Sequence, residues 1–173
     1  MLSSGSTIWN VDFDNVSAAN TRFGSTYWYN STVDGAAFSN NIWNNVSSLQ
    51  VSGTPATLPG RVVKGHIVVP KAYLGGADLS GGDLSNLDLS SIAFTWTNLI
   101  GANLNGSKAV AFFLNSNVTD ATFTGTTFVD NSTRTSVSSA GVIGTPATLP
   151  DKWTVTGGFL VGPGAYLANR EGI

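Results

Sequence analysis

The run Ala77-Asp78-Leu79-Ser80-Gly81-Gly82-Asp83-Leu84-Ser85-Asn86-Leu87-Asp88-Leu89-Ser90-Ser91 decides the fold. Leucine returns at every fifth position, and a small or apolar residue stands two places before each one. An α-helix repeats every 3.6 residues and a plain strand every 2. A period of five fits neither, but it fits a chain that turns a corner after each short straight segment.

The frame extends in both directions. Leu74, Leu79, Leu84, Leu89, Phe94, Leu99, Leu104 and Ala109 keep it without a break. After Ala109 it slips by one residue and resumes as Phe113, Val118, Phe123 and Phe128. Upstream, Ile8, Phe13, Ala18, Phe23, Trp28, Val33, Phe38 and Trp43 are also five apart. The positions two earlier read Ala77, Gly82, Leu87, Ile92, Thr97, Ala102 and Ser107 in one block, and Val11, Val16, Thr21, Thr26, Ser31 and Ala36 in the other.

This pattern resembles the pentapeptide-repeat family, whose consensus is Ala-(Asp/Asn)-Leu-X-X. The resemblance covers residues 6–50 and 72–135. It implies an all-β fold, a right-handed parallel quadrilateral β-helix with four pentapeptides per coil. The central residues then form an inward ladder of Phe13, Phe23, Trp28, Val33, Phe38, Trp43, Leu74, Leu79, Leu84, Leu89, Phe94, Leu99, Leu104, Phe113, Val118, Phe123 and Phe128. Residues twenty apart should stack: Leu79 on Leu99, Leu84 on Leu104, Asp78 on Asn98, Asp83 on Asn103. Asp88 falls on Lys108, an expected opposite-charge pair worth about 0–1 kcal/mol at an exposed site.

A longer repeat is superimposed. Gly53-Thr54-Pro55-Ala56-Thr57-Leu58-Pro59 returns 91 residues later as Gly144-Thr145-Pro146-Ala147-Thr148-Leu149-Pro150. Pro70-Lys71-Ala72-Tyr73-Leu74 is echoed by Pro163-Gly164-Ala165-Tyr166-Leu167. The apolar runs between, Arg61 to Val69 and Lys152 to Val161, read as a modified coil or a bend with its own strands. Proline cannot donate to a central ladder, which places these prolines at corners or edges. The organisation is therefore one solenoid over 1–173. Its first pentapeptide block is 6–50, a corner and return strand occupy 51–71, a second block 72–140, and a second corner with the start of another block 141–173.

Composition narrows the function. The chain is 42% hydrophobic and only 10% charged, with a net charge of −2 and no cysteine. Eight scattered Lys and Arg make no basic stripe, so no nucleic-acid partner is expected. Disulfides and thiolate chemistry are excluded. No apolar run reaches the length of a membrane span, and Met1-Leu2-Ser3-Ser4-Gly5 carries no signal-peptide pattern. No catalytic residues, metal ligands or cofactor site are expected, and the chain reads as non-enzymatic. His66, the one histidine, reads as an ordinary strand residue. Asp78, Asp83 and Asp88 lie on three different faces and make no carboxylate cluster. Six Asn-X-Ser/Thr triplets, at Asn15, Asn30, Asn45, Asn105, Asn117 and Asn131, fit the Asn- and Ser/Thr-rich composition better than glycosylation.

Two features bear on partners. Tyr27, Tyr29 and Trp96 fall on outward positions, where exposed rings on a rigid face can stack on glycans. Neither end shows a helix or charged segment that would cap open strand edges. The principal expectation is a structural subunit or segment of a self-stacking, head-to-tail filament or surface fibre, extracellular or on the cell surface. The alternatives are a protein-binding module of the DNA-mimic, gyrase-interacting type, which the resemblance includes, and a carbohydrate-binding adhesin segment.

Overall fold

A chain that turns every five residues needs a corner residue in the left-handed backbone region, where Gly and Asn are the least costly choices. That requirement explains the composition. In the computed structural model, which describes residues 5–109, 113–128 and 137–167, positive φ recurs at Asn10, Asn15, Asn20, Ser25, Asn30, Gly35, Asn40, Asn45 and Gln50. The angle runs from 47° at Asn30 to 65° at Gly35. The second block repeats the pattern at Lys71, Gly76, Gly81, Asn86, Ser91, Trp96, Gly101 and Gly106. Asn15, Asn30 and Asn45, three of the Asn-X-Ser/Thr asparagines, are thus corner residues.

The Asp/Asn before each central residue has its own task. Its carboxylate or amide oxygen accepts the backbone N–H two residues on: Ser80 N to Asp78 Oδ1 at 3.1 Å, Ser85 N to Asp83 Oδ1 at 3.1 Å, Thr119 N to Asn117 Oδ1 at 3.0 Å. The same side chains join successive coils, as in Asn98 Nδ2 to Asp78 Oδ1 at 3.1 Å and Asn103 Nδ2 to Asp83 Oδ1 at 3.2 Å. Each such bond contributes about 0.5–1.5 kcal/mol net, and the recurrence at successive corners makes the sum large.

Short strands lie between the corners: β1 (Thr7–Trp9), β2 (Ser17–Ala19), β3 (Tyr27–Tyr29), β4 (Ala37–Ser39), β5 (Ser47–Leu49), β6 (Arg61–Val63), β7 (His66–Val68), β8 (Lys108–Ala109), β9 (Thr127–Phe128), β10 (Thr154–Thr156) and β11 (Phe159–Val161). The coil pairs are parallel. Face A carries β1, β3 and β5; face B carries Asp12, Thr32 and Ser52; face C carries β2, β4 and Thr57; face D carries Arg22 and Ile42. In the second block Tyr73 pairs with Ala93 on face A. The columns Asp78–Asn98–Asn117–Ser138, Asp83–Asn103–Thr122–Ile143 and Asp88–Lys108–Thr127–Thr148 follow on faces B, C and D. Their steps are twenty residues, then nineteen, then twenty-one. The nineteen-residue coil is the frame slip after Ala109, and it lets Phe113 stack on Phe94 with ring centroids 5.1 Å apart.

The central residues fill the tube. Trp28, Leu79, Leu84, Leu89, Phe94, Leu99 and Leu104 are fully buried, and Phe23, Val33, Phe38, Trp43, Leu74, Phe113, Val118, Phe123 and Phe128 are buried. The first block is aromatic inside, with Phe23 stacked on Trp43 at 4.6 Å and Phe13 against Trp28 at 4.9 Å. Phe13 is only partly buried, and Val11 and Val16 are exposed. All three lie in the first described coil, which packs against a neighbouring coil on one side only. Asp88 and Lys108 do stack in register, but the expected ion pair does not form. The Asp88 carboxylate turns back to accept the backbone N–H and hydroxyl of Ser90. Among the described residues the ion pair that forms is Arg61–Asp83.

The segments between blocks are antiparallel hairpins, β6 with β7 and β10 with β11. The return strand expected over 61–69 is thus two strands with a tight turn at Lys64-Gly65. The first hairpin is wedged between the blocks. Val51 N donates to Gly65 O at 3.0 Å, Ile67 N to Ser48 Oγ at 2.6 Å, and Arg61 Nη1 to Asp83 O at 3.0 Å. The chain then rejoins the stack through Tyr73 N to Val46 O at 2.8 Å. His66, on β7, is buried there, and burial pulls its pKa below the usual 6.5, while the Ser48 backbone and Asp78 pull weakly the other way.

Two predictions follow from these positions. Trp96 holds φ 60° with its ring 69% exposed. Asn115 and Gly76 occupy equivalent corners, so Trp96→Asn should stabilise the fold by about 1 kcal/mol, read as a higher denaturant midpoint. Burial disfavours the charged form of His66 in the folded chain. Below pH 6.5 the unfolded chain takes up a proton that the folded one refuses, so stability should fall as pH drops through that value and level off below the folded pKa. In the second unit Phe159 stands at the position of His66. His66→Phe should therefore fold and lose this step in a plot of thermal midpoint against pH.

Candidate functional site

Two surfaces stand out once the coils are in place. The first is face A of the first block. Register puts Trp9 directly against Tyr29, and Tyr29 against Leu49, on successive coils. Trp9, Tyr27 and Leu49 are exposed and Tyr29 is half-buried. The Tyr27 and Tyr29 rings lie nearly parallel, 16° apart, with centroids at 6.2 Å. Above them a shallow recess is lined by Tyr27, Ser48, Leu49, His66 and Tyr73. No strand residue of β1, β3 or β5 is charged. The arrangement is a flat, uncharged platform of aromatic rings edged by hydroxyls. Trp96, the third aromatic singled out from the sequence, does not join it. It sits on a corner of a later coil and makes no ring contact among the described residues.

The second surface is the joint between units, which is built twice. Val142 N donates to Gly158 O at 2.9 Å, as Val51 N does to Gly65 O at 3.0 Å. Leu160 N donates to Ser139 Oγ at 3.0 Å, as Ile67 N does to Ser48 Oγ. Tyr166 N donates to Val137 O at 2.8 Å, as Tyr73 N does to Val46 O. The Gly-Thr-Pro-Ala-Thr-Leu-Pro corners also match bond for bond, with Ala56 N to Ala36 O and Ala147 N to Thr126 O both 2.8 Å. Their first glycines are obligatory. Gly53 has φ +97°, and a Cβ there would lie 2.5 Å from the Asp34 backbone nitrogen; at Gly144, φ +92°, it would lie 2.8 Å from Thr124 N.

Asp78 and Asp83 are held below the ordinary carboxylate range first by the hydroxyls of Ser80 and Ser85 and then by backbone N–H groups, so they act as turn caps. No three His, Cys, Asp or Glu side chains gather for a metal among the described residues. The sequence shows that these segments repeat but not that they touch, because the joint's hydrogen bonds link stretches far apart in the chain, Ile67 to Ser48 and Tyr73 to Val46. The echo of Pro70–Leu74 in Pro163–Leu167 was the available signal.

Residues 71–106 match the family model for pentapeptide repeats, in eight copies. No curated protein matches the sequence. Among solved structures, a trypsin-treated variant of QnrB1, a plasmid-mediated fluoroquinolone resistance protein, is 13% identical over 79% of this chain and 90% of that one, with a TM-score of 0.34. Rfr23 from the cyanobacterium Cyanothece 51142 is 17% identical over 74% and 84%, TM-score 0.28. HetL from the cyanobacterium Nostoc, involved in heterocyst differentiation regulation, is 14% identical over 88% and 92%, TM-score 0.28. The five-residue frame, the square coil it folds into and the family match make residues 71–106 a run of pentapeptide repeats.

Proposed function

We propose that the protein is a non-enzymatic structural element, a subunit or segment of a rod in which one solenoid unit stacks on the next. The carrying observation is the joint. The first unit passes its coil hydrogen bonding to the second through a hairpin wedge, and the second unit rebuilds the acceptor half of that joint from Val137 to Tyr166. A non-closing, head-to-tail contact of this kind generates a fibre. At about 4.8 Å per coil layer, each unit advances the rod by about 20 Å. Low charge and a Ser/Thr/Asn-rich surface favour a place outside the cell or on its surface. The DNA-mimic reading needs one continuous acidic face, and Asp78, Asp83 and Asp88 instead occupy faces B, C and D in turn.

Sedimentation and negative-stain electron microscopy of the purified protein test this reading. Unbranched rods that lengthen with concentration are expected; discrete monomers at every concentration would overturn it. The aromatic platform on face A supports a second, compatible role as a glycan contact. Neutral sugars present C–H faces that pack on exposed rings, and an uncharged platform suits an uncharged ligand. Saturable binding to a neutral glycan on an array, weakened at least tenfold by Tyr27→Ala with Tyr29→Ala, is the expected result. Unchanged binding in that variant would remove the platform from consideration.

A further inference from the structure

The repeat does not climb the rod straight. Thr7, Tyr27 and Ser47 stack on face A. Their counterparts in the second unit are Asn98, Asn117 and Ser138, which stack in the column of Asp78, on face B. The corner residue Thr57 pairs with Ala37 on face C, and its counterpart Thr148 pairs with Thr127 on face D. The second unit is therefore the first one raised and turned by a quarter of the solenoid.

The second unit also leaves uncovered what the first unit has covered. Leu74 is 2% exposed beneath the coils that follow it, and its counterpart Leu167 is 52% exposed. Ala72 and Val68 are buried, while Ala165 and Val161 are half-buried. The occupant of the first joint is the coil block that begins at Gly75.

We infer that the surface formed by Val161, Ala165, Tyr166 and Leu167 is a docking face for a further solenoid unit of this same kind, which adds with another quarter turn. Successive Gly-Thr-Pro-Ala-Thr-Leu-Pro corners then appear on faces C, D, A and B. Within each corner the two threonines and the alanine are exposed, at Thr54, Ala56 and Thr57 and again at Thr145, Ala147 and Thr148. Core positions differ freely between the units, with Phe13 against Leu104 and Trp28 against Val118, yet these exposed residues are the same in both. The screw would thus display one identical surface motif on all four sides of the rod.

This inference rests on the rod reading, and the test separates the two. A chain in which a second copy of residues 75–167 follows Leu167 supplies the further unit. Its crystal structure should place the third corner on face A, and hydrogen exchange at Leu167 should slow to the rate at Leu74. Leu167→Lys should lower the thermal midpoint of the extended chain. A third corner on any other face would overturn the screw and leave the rod standing. An added unit that folds apart, with Leu167 still exchanging freely, would overturn both.

Discussion

The whole molecule hangs on a backbone constraint at the corners. Each straight segment is only about three residues long, and the next must leave at an angle to it, so one residue in five has to accept positive φ. Asn, Gly and Ser at those positions make that conformation affordable, and the Asp or Asn three residues earlier caps the turn. Once the corners are set, the residue between them can point only inward, and stacking buries it against its copies one coil above and below. Burial of a leucine contributes about 1.5–3 kcal/mol, far more than a surface ion pair. That ordering explains why Asp88 can abandon Lys108 for Ser90 without cost to the register.

Two consequences reach function. A coil offers backbone partners only above and below, so the molecule grows by addition along its axis. The first hairpin does not interrupt that growth: Gly65 accepts from Val51 on one side, the Arg61 side chain reaches the Asp83 carbonyl on the other, and the coil resumes at Tyr73 N to Val46 O. The outward side chains carry no such duty. They are free to vary, which makes the aromatic platform of Trp9, Tyr27 and Tyr29 and the repeated threonine corners the places where a partner would be met.

Much of this was legible in the sequence. The inward frame could be read because burial imposes one residue type at one spacing, and the slip after Ala109 was visible as a break in that spacing. The corners were visible only as an abundance of Asn and Gly, since left-handed φ leaves no apolar signal. The hairpins were half-legible: Gly65 and the flanking valines suggested strands, but the wedge between blocks depends on Ser48 Oγ meeting Ile67 N, a contact between segments nineteen residues apart. The quarter turn was hidden because it follows from where Tyr73 rejoins the stack, on face A rather than D. Nothing in the spacing of Trp96 separated it from the Tyr27–Tyr29 pair.

The central claim is that one buried residue in every five holds the coil. Leu84 is fully buried with Leu104 above it, so the most direct test is a denaturant titration of two variants at this site. Leu84→Ala should keep a cooperative transition and lose about 2–5 kcal/mol. Leu84→Lys, which places an unpaired charge inside the tube, should abolish the transition. A Leu84→Lys protein that unfolds cooperatively at the wild-type midpoint would contradict the inward frame and the account built on it.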